Sequence, residues 1–340
     1  MTVQLADAPS GVAEPTEPAR VERRDPAGEL VARFGLAWLL ALVIVGFSVW
    51  SRTSSAFLSR ANIDNILADQ TIVTMMALAF MAPLITGALD LSVGAATGVS
   101  AVAVATSLDR FDLPVVVAIV IALASCMVIA LVNGIGTAYL NLHPAIFTLA
   151  AATVLGGLVQ WYTGGLSISG RSSGFLISVG SDTWFTIPVS TYLLAASAGA
   201  MWYLLEHTRL GRHMRAVGIN PEAARLVGID VPRTKMLAFV AWGVLAGLAG
   251  VVLVARNGAS NPGDGPGMLF AALGAVFLGS TAIRPGQFNV GGTVLGVFFV
   301  ACVVSGLNLA GVDPWVQPVI NGASLAAAIT ISTVGRRRAR

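Results

Sequence analysis

Long apolar runs alternate with short polar interruptions along most of this chain, and the runs have the length of a bilayer crossing. A spanning helix needs about 17–25 mainly apolar residues. The intervals 34–50, 71–88, 91–107, 113–136, 144–162, 187–205, 236–255, 267–283, 290–307 and 313–334 meet that requirement. In hydrocarbon every backbone N–H and C=O must be paired within the protein, so such runs form helices. The pattern predicts an all-α polytopic membrane protein with about ten transmembrane helices.

The one long polar interruption is Glu206 to Lys235, EHTRLGRHMRAVGINPEAARLVGIDVPRTK, with six basic and three acidic residues. Short basic loops next to membrane spans stay on the cytoplasmic face. A chain that starts inside returns there after the span at 187–205, so charge and crossing number agree. The C-terminal Arg336, Arg337, Arg338 and Arg340 fall on the same side. The segments 51–70, 108–112, 163–186 and 256–266 then face outside. Residues 1–33 are rich in Pro, Ala and acidic residues and lack the apolar core of a signal peptide. They read as a disordered cytoplasmic tail, followed by a membrane domain over 34–334 and a basic cytoplasmic tail over 335–340.

Composition supports this organisation: 56% of residues are hydrophobic, 11% are charged and mean hydropathy is +0.80, whereas soluble domains carry about 25% charged residues. Cys126 and Cys302 lie inside apolar spans, where a small buried side chain is the ordinary role. Glycine ladders such as Gly243, Gly247 and Gly250, or Gly87, Gly94 and Gly98, suit close helix packing in lipid. Two interruptions look alike, TGALDLSVGAATG (86–98) and GSTAIRPGQFNVGGTVLG (279–296), and read as an internal duplication. Paired interruptions of this kind are a sequence mark of transporter repeats.

Candidate chemistry is sparse. Within the polar interruption, Asn220 suits a helix N-cap, Pro221 the first helical position, Glu222 the first turn and Gly228 the stop. A helix of about two turns is marginal alone and needs a partner surface; the alternative is a solvated connector. The sole lysine, Lys235, precedes Met236, so no G-x-x-x-x-G-K-[ST] phosphate loop exists and ATP hydrolysis is not encoded here. Asp90 and Ser92 either cap a helix or line a pathway, because a carboxylate at membrane depth is costly without a role. Asn133, Asn308 and Asn321 suit interhelical hydrogen bonds or a pathway lining. His143 stands alone before Pro144, with no His/Cys spacing for a metal. No nucleophile elbow, carboxylate pair or dinucleotide turn is present, so no enzyme, cofactor or nucleic-acid partner is expected.

The run TRLGRHMRAVGINPEAARLVGIDVPRTK resembles the cytoplasmic coupling loop of bacterial ABC-importer permeases of the ribose/xylose/arabinose class. GALDLSVGAATGVSAV, LHPAIFTLAAATVLGGLVQWYTGG and ALGAVFLGSTAIRPG are similar to further segments of that family, and the likeness covers about 34–334. Where relatives have a Gly/Ser-rich stretch after Leu278 to Thr281, this chain has Ala282-Ile283-Arg284-Pro285-Gly286-Gln287-Phe288. The resemblance implies the ABC importer permease fold in a bacterial cell membrane and transport of a small neutral solute, most simply a monosaccharide. It also implies ABC ATPase subunits, an extracytoplasmic solute-binding protein and a second permease, identical or related. Asn220, Glu222, Ala223, Ala224, Arg225 and Gly228 would then lie in or beside the helix that couples to the ATPase. A secondary transporter driven by an ion gradient is the alternative; it needs an acidic relay, for which Asp90 is the one serious candidate.

Overall fold

The computed structural model describes residues 26–169, 173–313 and 315–338. Each expected span carries a helix: α1 (Pro26–Val49), α2 (Arg60–Ile85), α3 (Val93–Asp109), α4 (Val115–Gly134) and α5 (Pro144–Thr163) precede the polar interruption with α6 (Gly174–Ser181) and α7 (Val189–His207). The interruption folds into α8 (Arg209–Ile219) and α9 (Pro221–Leu226), and α10 (Val231–Asn257), α11 (Asp264–Gly279), α12 (Val290–Leu309) and α13 (Val316–Arg338) follow. Five helical segments, Arg60–Ile85, Val115–Tyr139, Pro144–Thr163, Val231–Asn257 and Val290–Leu309, are long and apolar enough to cross a membrane among the described residues. Arg33–Val49, Val93–Asp109 and Asp264–Gly279 are shorter apolar helices.

Three boundaries differ from the sequence reading. Residues 1–25 of the expected tail lie outside the described residues, but α1 already begins at Pro26, ahead of the boundary at 33. Proline suits a first helical position because its missing N–H has no partner there in any case. At the other end α13 runs to Arg338, so the basic segment from 335 largely continues a helix; Arg340 lies outside the described residues. The largest difference is in α2, which starts at Arg60 and takes up much of the segment expected as the 51–70 loop. Ser59 caps it, its hydroxyl accepting from the Asn62 N–H at 3.3 Å.

The core is built around α10. Trp242 and Phe239 are among its largest fully buried side chains, with Phe80, Met75 and Met76 of α2. The expected glycine ladder faces α4 and α3: a Cβ on Gly243 would lie 2.8 Å from Ala130 Cβ, and one on Gly250 would lie 2.5 Å from Ser100 Cβ. The Ser100 hydroxyl donates to the Gly247 carbonyl at 2.8 Å, a polar contact that the absent side chains permit.

Packing shows an internal exchange. α2 packs on α10, α11 and α12, while α10 packs on α2, α3 and α4; α3 contacts α4 and α5 as α11 contacts α12 and α13. Exchanging α2 with α10, α3 with α11, α4 with α12 and α5 with α13 preserves these neighbours. The second residues of α3 and α11 meet where the two helices start, a Cβ on Gly94 falling 2.8 Å from the Gly265 carbonyl oxygen. Under this exchange the break before α3 corresponds to the α10–α11 connection, not to 280–289. The two interruptions paired in the sequence are therefore not equivalent in the packing. Their common Gly-x-x-x-Gly spacing reflects a shared packing need.

Short strands finish the connections. β1 (Ile168–Ser169) pairs antiparallel with β4 (Ala259–Ser260), tying the α5–α6 and α10–α11 links together, and β2 (Thr183–Trp184) pairs with β3 (Ile187–Pro188) in a hairpin before α7.

Overpacking the α10 contact is expected to cost about 1–3 kcal/mol. Gly250→Ala should lower the thermal midpoint of the detergent-solubilised protein. Gly199→Ala on α7, where no atom lies within 4 Å of the added carbon, should leave it unchanged or raise it slightly.

Candidate functional site

At the end of the bundle where α7 stops and α10 starts, α8 and α9 form a small unit of their own. Thr208 caps α8 by accepting from the Gly211 N–H at 3.2 Å, and Gly211, Met214 and Val217 turn inward at three-residue spacing. Gly218 has no room for a Cβ against the Ile85 carbonyl, so α8 seats directly on the end of α2. Asn220 Oδ1 accepts from the N–H groups of Glu222 at 3.0 Å and Ala223 at 3.1 Å, which starts α9. Glu222 pairs with Arg225 at 2.9 Å, and Gly228, at φ 82°, reverses the chain after it. Ala224 is buried with Val217 and Val231, anchoring α9 to α8 and to the first turn of α10. Apolar side chains also stand bare on this unit, beside the exposed Glu222–Arg225 pair: Leu226 is 89% exposed, Ile219 86% and Val227 76%.

An ion triad holds this unit to the second half of the bundle. Glu206, in the last turn of α7 just beyond the apolar run at 187–205, has a side chain only 17% exposed. Arg284 Nη1 donates to both of its oxygens at 2.7 Å, and Arg215 of α8 pairs with the same carboxylate. Arg284, which stands in the segment where this chain departs from its relatives' Gly/Ser-rich stretch, thus has an intramolecular partner. The Arg215 hydrogen bond, followed by that of Arg284, holds the Glu206 carboxyl below the usual carboxylate range. The turn that carries Arg284 is itself pinned: the Ile283 N–H donates to the Arg33 carbonyl at 2.8 Å. Asn289 caps α12 by accepting from the Gly292 N–H at 2.7 Å.

Asp90 and Ser92 sit in the break between α2 and α3, both fully buried. Asp90 Oδ1 accepts from the Ser92 N–H at 2.7 Å and from its hydroxyl at 2.6 Å. Asn133 Nδ2 donates to Ser92 Oγ at 2.7 Å, and the Leu91 N–H donates to Thr148 Oγ1 at 3.0 Å. The break is thereby joined to α4 and α5. It lies apart from the polar cavity described next.

That cavity, of about 580 Å³, occupies the end of α2 and α10 remote from α8 and α9. α2 lines it with Asn62, Asn65, Asp69 and Gln70, and α10 contributes Asn257. Ser305 and Asn308 come from α12, Gln317 and Asn321 from α13. Arg256 braces the rim, with Nε donating to Asp69 at 2.8 Å, Nη2 to Asn65 at 2.9 Å and Nη1 to the Gly180 carbonyl of α6 at 3.3 Å. Asn308 and Asn321 were singled out from sequence; Asn133, grouped with them there, lies instead in the Ser92 network. The α2 contribution was missed because its first turns are too polar to read as part of a span. Its signal is present nonetheless, since Asn62, Asn65 and Asp69 recur at three and four residues, the spacing of one helix face.

Residues 62–329 match the family described as branched-chain amino acid transport system / permease component. The chain belongs to that family. The permease is 32% identical over 309 residues to the ribose import permease protein RbsC of Escherichia coli (strain K12), which covers 88% of the chain and 95% of the relative. Against the ribose import permease protein RbsC of Bacillus subtilis (strain 168) it is 32% identical over 277 residues, 81% of the chain and 86% of the relative. Against the galactose/methyl galactoside import permease protein MglC of Escherichia coli (strain K12) it is 29% identical over 320 residues, 88% and 94% respectively. No solved structure gives a significant match. The permease is a multi-pass membrane transport subunit and not an enzyme.

The triad predicts a pH response. A carboxyl whose folded-state pKa is depressed stabilises the fold above its unfolded pKa, about 4.3 for Glu, and that contribution is lost as pH falls through the lowered value. Glu206→Gln should cost about 1 kcal/mol near neutrality. It should also reduce the loss of thermal midpoint seen when the wild type is titrated from neutral to acidic pH.

Proposed function

We propose that the permease is the membrane subunit of an ATP-binding-cassette importer that moves a monosaccharide or similar neutral solute inward across a bacterial cell membrane. Separate ABC ATPase subunits, an extracytoplasmic solute-binding protein and a second permease, identical or related, complete the transporter. The basic α8–α9 segment and both termini are assigned to the cytoplasm by the distribution of arginine.

The observation that carries this reading is α9. A helix this short is marginal in isolation, yet here it is capped by Asn220, clipped by Glu222 and Arg225, anchored through Ala224 and closed by Gly228, with Leu226 and Val227 bare beside it. Such a braced knob, with exposed apolar side chains beside an ion pair, suits a groove on an ATPase. Closure of the ATPase on nucleotide would move it as a body, and transport is driven because the two states differ in their contacts with it. Coupling is assigned to Asn220, Glu222, Ala223, Ala224, Arg225 and Gly228. The substrate class follows the relatives, whose names specify ribose and galactose import.

Replacing Leu226 and Val227 together with aspartate should abolish co-purification with a sugar-type ABC ATPase and ATP-dependent uptake of D-ribose or D-galactose by proteoliposomes. The thermal midpoint of the free permease should hardly move, because both side chains are solvent-facing. Uptake by the wild type on a proton or sodium gradient, without an ATPase, would refute the proposal in favour of a secondary transporter.

A further inference from the structure

We infer that the amide-lined cavity at the end remote from α8 and α9 is a binding site for an uncharged, hydroxyl-rich solute, so that the permease itself discriminates among solutes. The inference rests on the sugar-import reading and deepens it by giving the solute a place in this chain.

Its volume, about 580 Å³, lies within the roughly 300–1,000 Å³ of small-molecule pockets. Its chemistry is selective. A side-chain amide offers two donors and an acceptor, and a sugar hydroxyl both donates and accepts, so one amide can engage two neighbouring hydroxyls. The lining amides fall into two groups. Asn62 donates to the Phe57 carbonyl and accepts from Ser305, Asn65 accepts from Arg256, and Asn257 donates to Asp264. Gln70, Asn308, Gln317 and Asn321 have no side-chain hydrogen bond among the described residues. These four come from α2, α12 and α13 and converge on one space.

Electrostatics narrow the ligand further. Among the described residues Asp69 is the one ionisable residue in the lining, and Arg256 neutralises it. A zwitterionic amino acid would bring an ammonium and a carboxylate into a cavity with no unpaired opposite charge, which is unfavourable. A neutral polyol needs only hydrogen-bond partners, which the amides supply. Ile72, Val73, Val297, Val300 and Ala301 add an apolar part to the lining, suited to the C–H face of a sugar ring. Gln70 and Asn321 are half-buried, while Asn308 and Gln317 stand at the exposed mouth of the same space.

The test uses the assembled transporter in proteoliposomes, with single Asn308→Cys and Asn321→Cys variants against the wild type, whose own two cysteines are buried. Alkylation by a membrane-impermeant maleimide is timed alone and with D-ribose, D-galactose or L-leucine present. Labelling from the side opposite the α8–α9 unit, slowed by the sugars and not by leucine, supports the inference. No labelling from that side, equal protection by leucine, or no protection by either sugar overturns it. In parallel, Asn321→Leu should raise the KM for the imported sugar about fivefold, the loss of one hydrogen bond, with Asn321→Gln closer to wild type; equal KM values for both would count against the site. Uptake by the wild type is measured separately with the same three solutes. A permease that imports leucine and neither sugar fails the proposed function at that step, whereas the protection pattern judges the cavity on its own terms.

Discussion

The approach of α10 to its neighbours through Gly243, Gly247 and Gly250 is the contact on which the rest of this bundle depends. Lipid tails are as apolar as leucine, so helices in a bilayer gain little by hiding hydrophobic surface from one another, and tight van der Waals contact has to hold them. Small residues allow that contact, and the Ser100 hydroxyl turns it into a hydrogen bond on a backbone carbonyl. With α10 held against α3 and α4 on one side and α2 on the other, the two halves share a centre. Gly94 and Gly265 then bring the starts of the short helices α3 and α11 together.

Polar chemistry is confined to what this frame leaves at its ends and its breaks. At one end the triad of Glu206, Arg215 and Arg284 joins the last turn of α7, the amphipathic α8 and the turn before α12. The α8–α9 unit thus touches both halves, through the seat of α8 on α2 and through the Glu206–Arg284 pair. At the other end Arg256 ties α2, α10 and α6 around an amide-rich space. The buried Asp90–Ser92–Asn133 network stiffens the break between α2 and α3. The two ends are thus linked by the same helices, α2 and α10, each of which runs from one to the other.

Much of this was legible in order along the chain. The spans were readable because a bilayer demands a long apolar run, and α9 was readable because Asn220, Pro221, Glu222 and Gly228 each satisfy a separate local requirement of a helix end. The resemblance to sugar-importer permeases was readable from short segments and agrees with the family match. α8 escaped notice because arginines at 209, 212 and 215 mask the inward stripe of Leu210, Met214 and Val217. The polar start of α2 escaped because hydropathy averages over a helix whose one face lines a cavity.

The sequence alone thus settled which apolar segments become helices, where the polar segment interrupts them, and that no phosphate-binding loop is present, because each of these depends on neighbours within a few residues. Partner choice needed the tertiary structure. That Glu206 meets Arg284 across 78 residues, that α3 is the counterpart of α11, and that amides on α2, α12 and α13 face one space are consequences of helix packing. Packing in lipid is decided by shape between distant segments, and no local pattern carries that information.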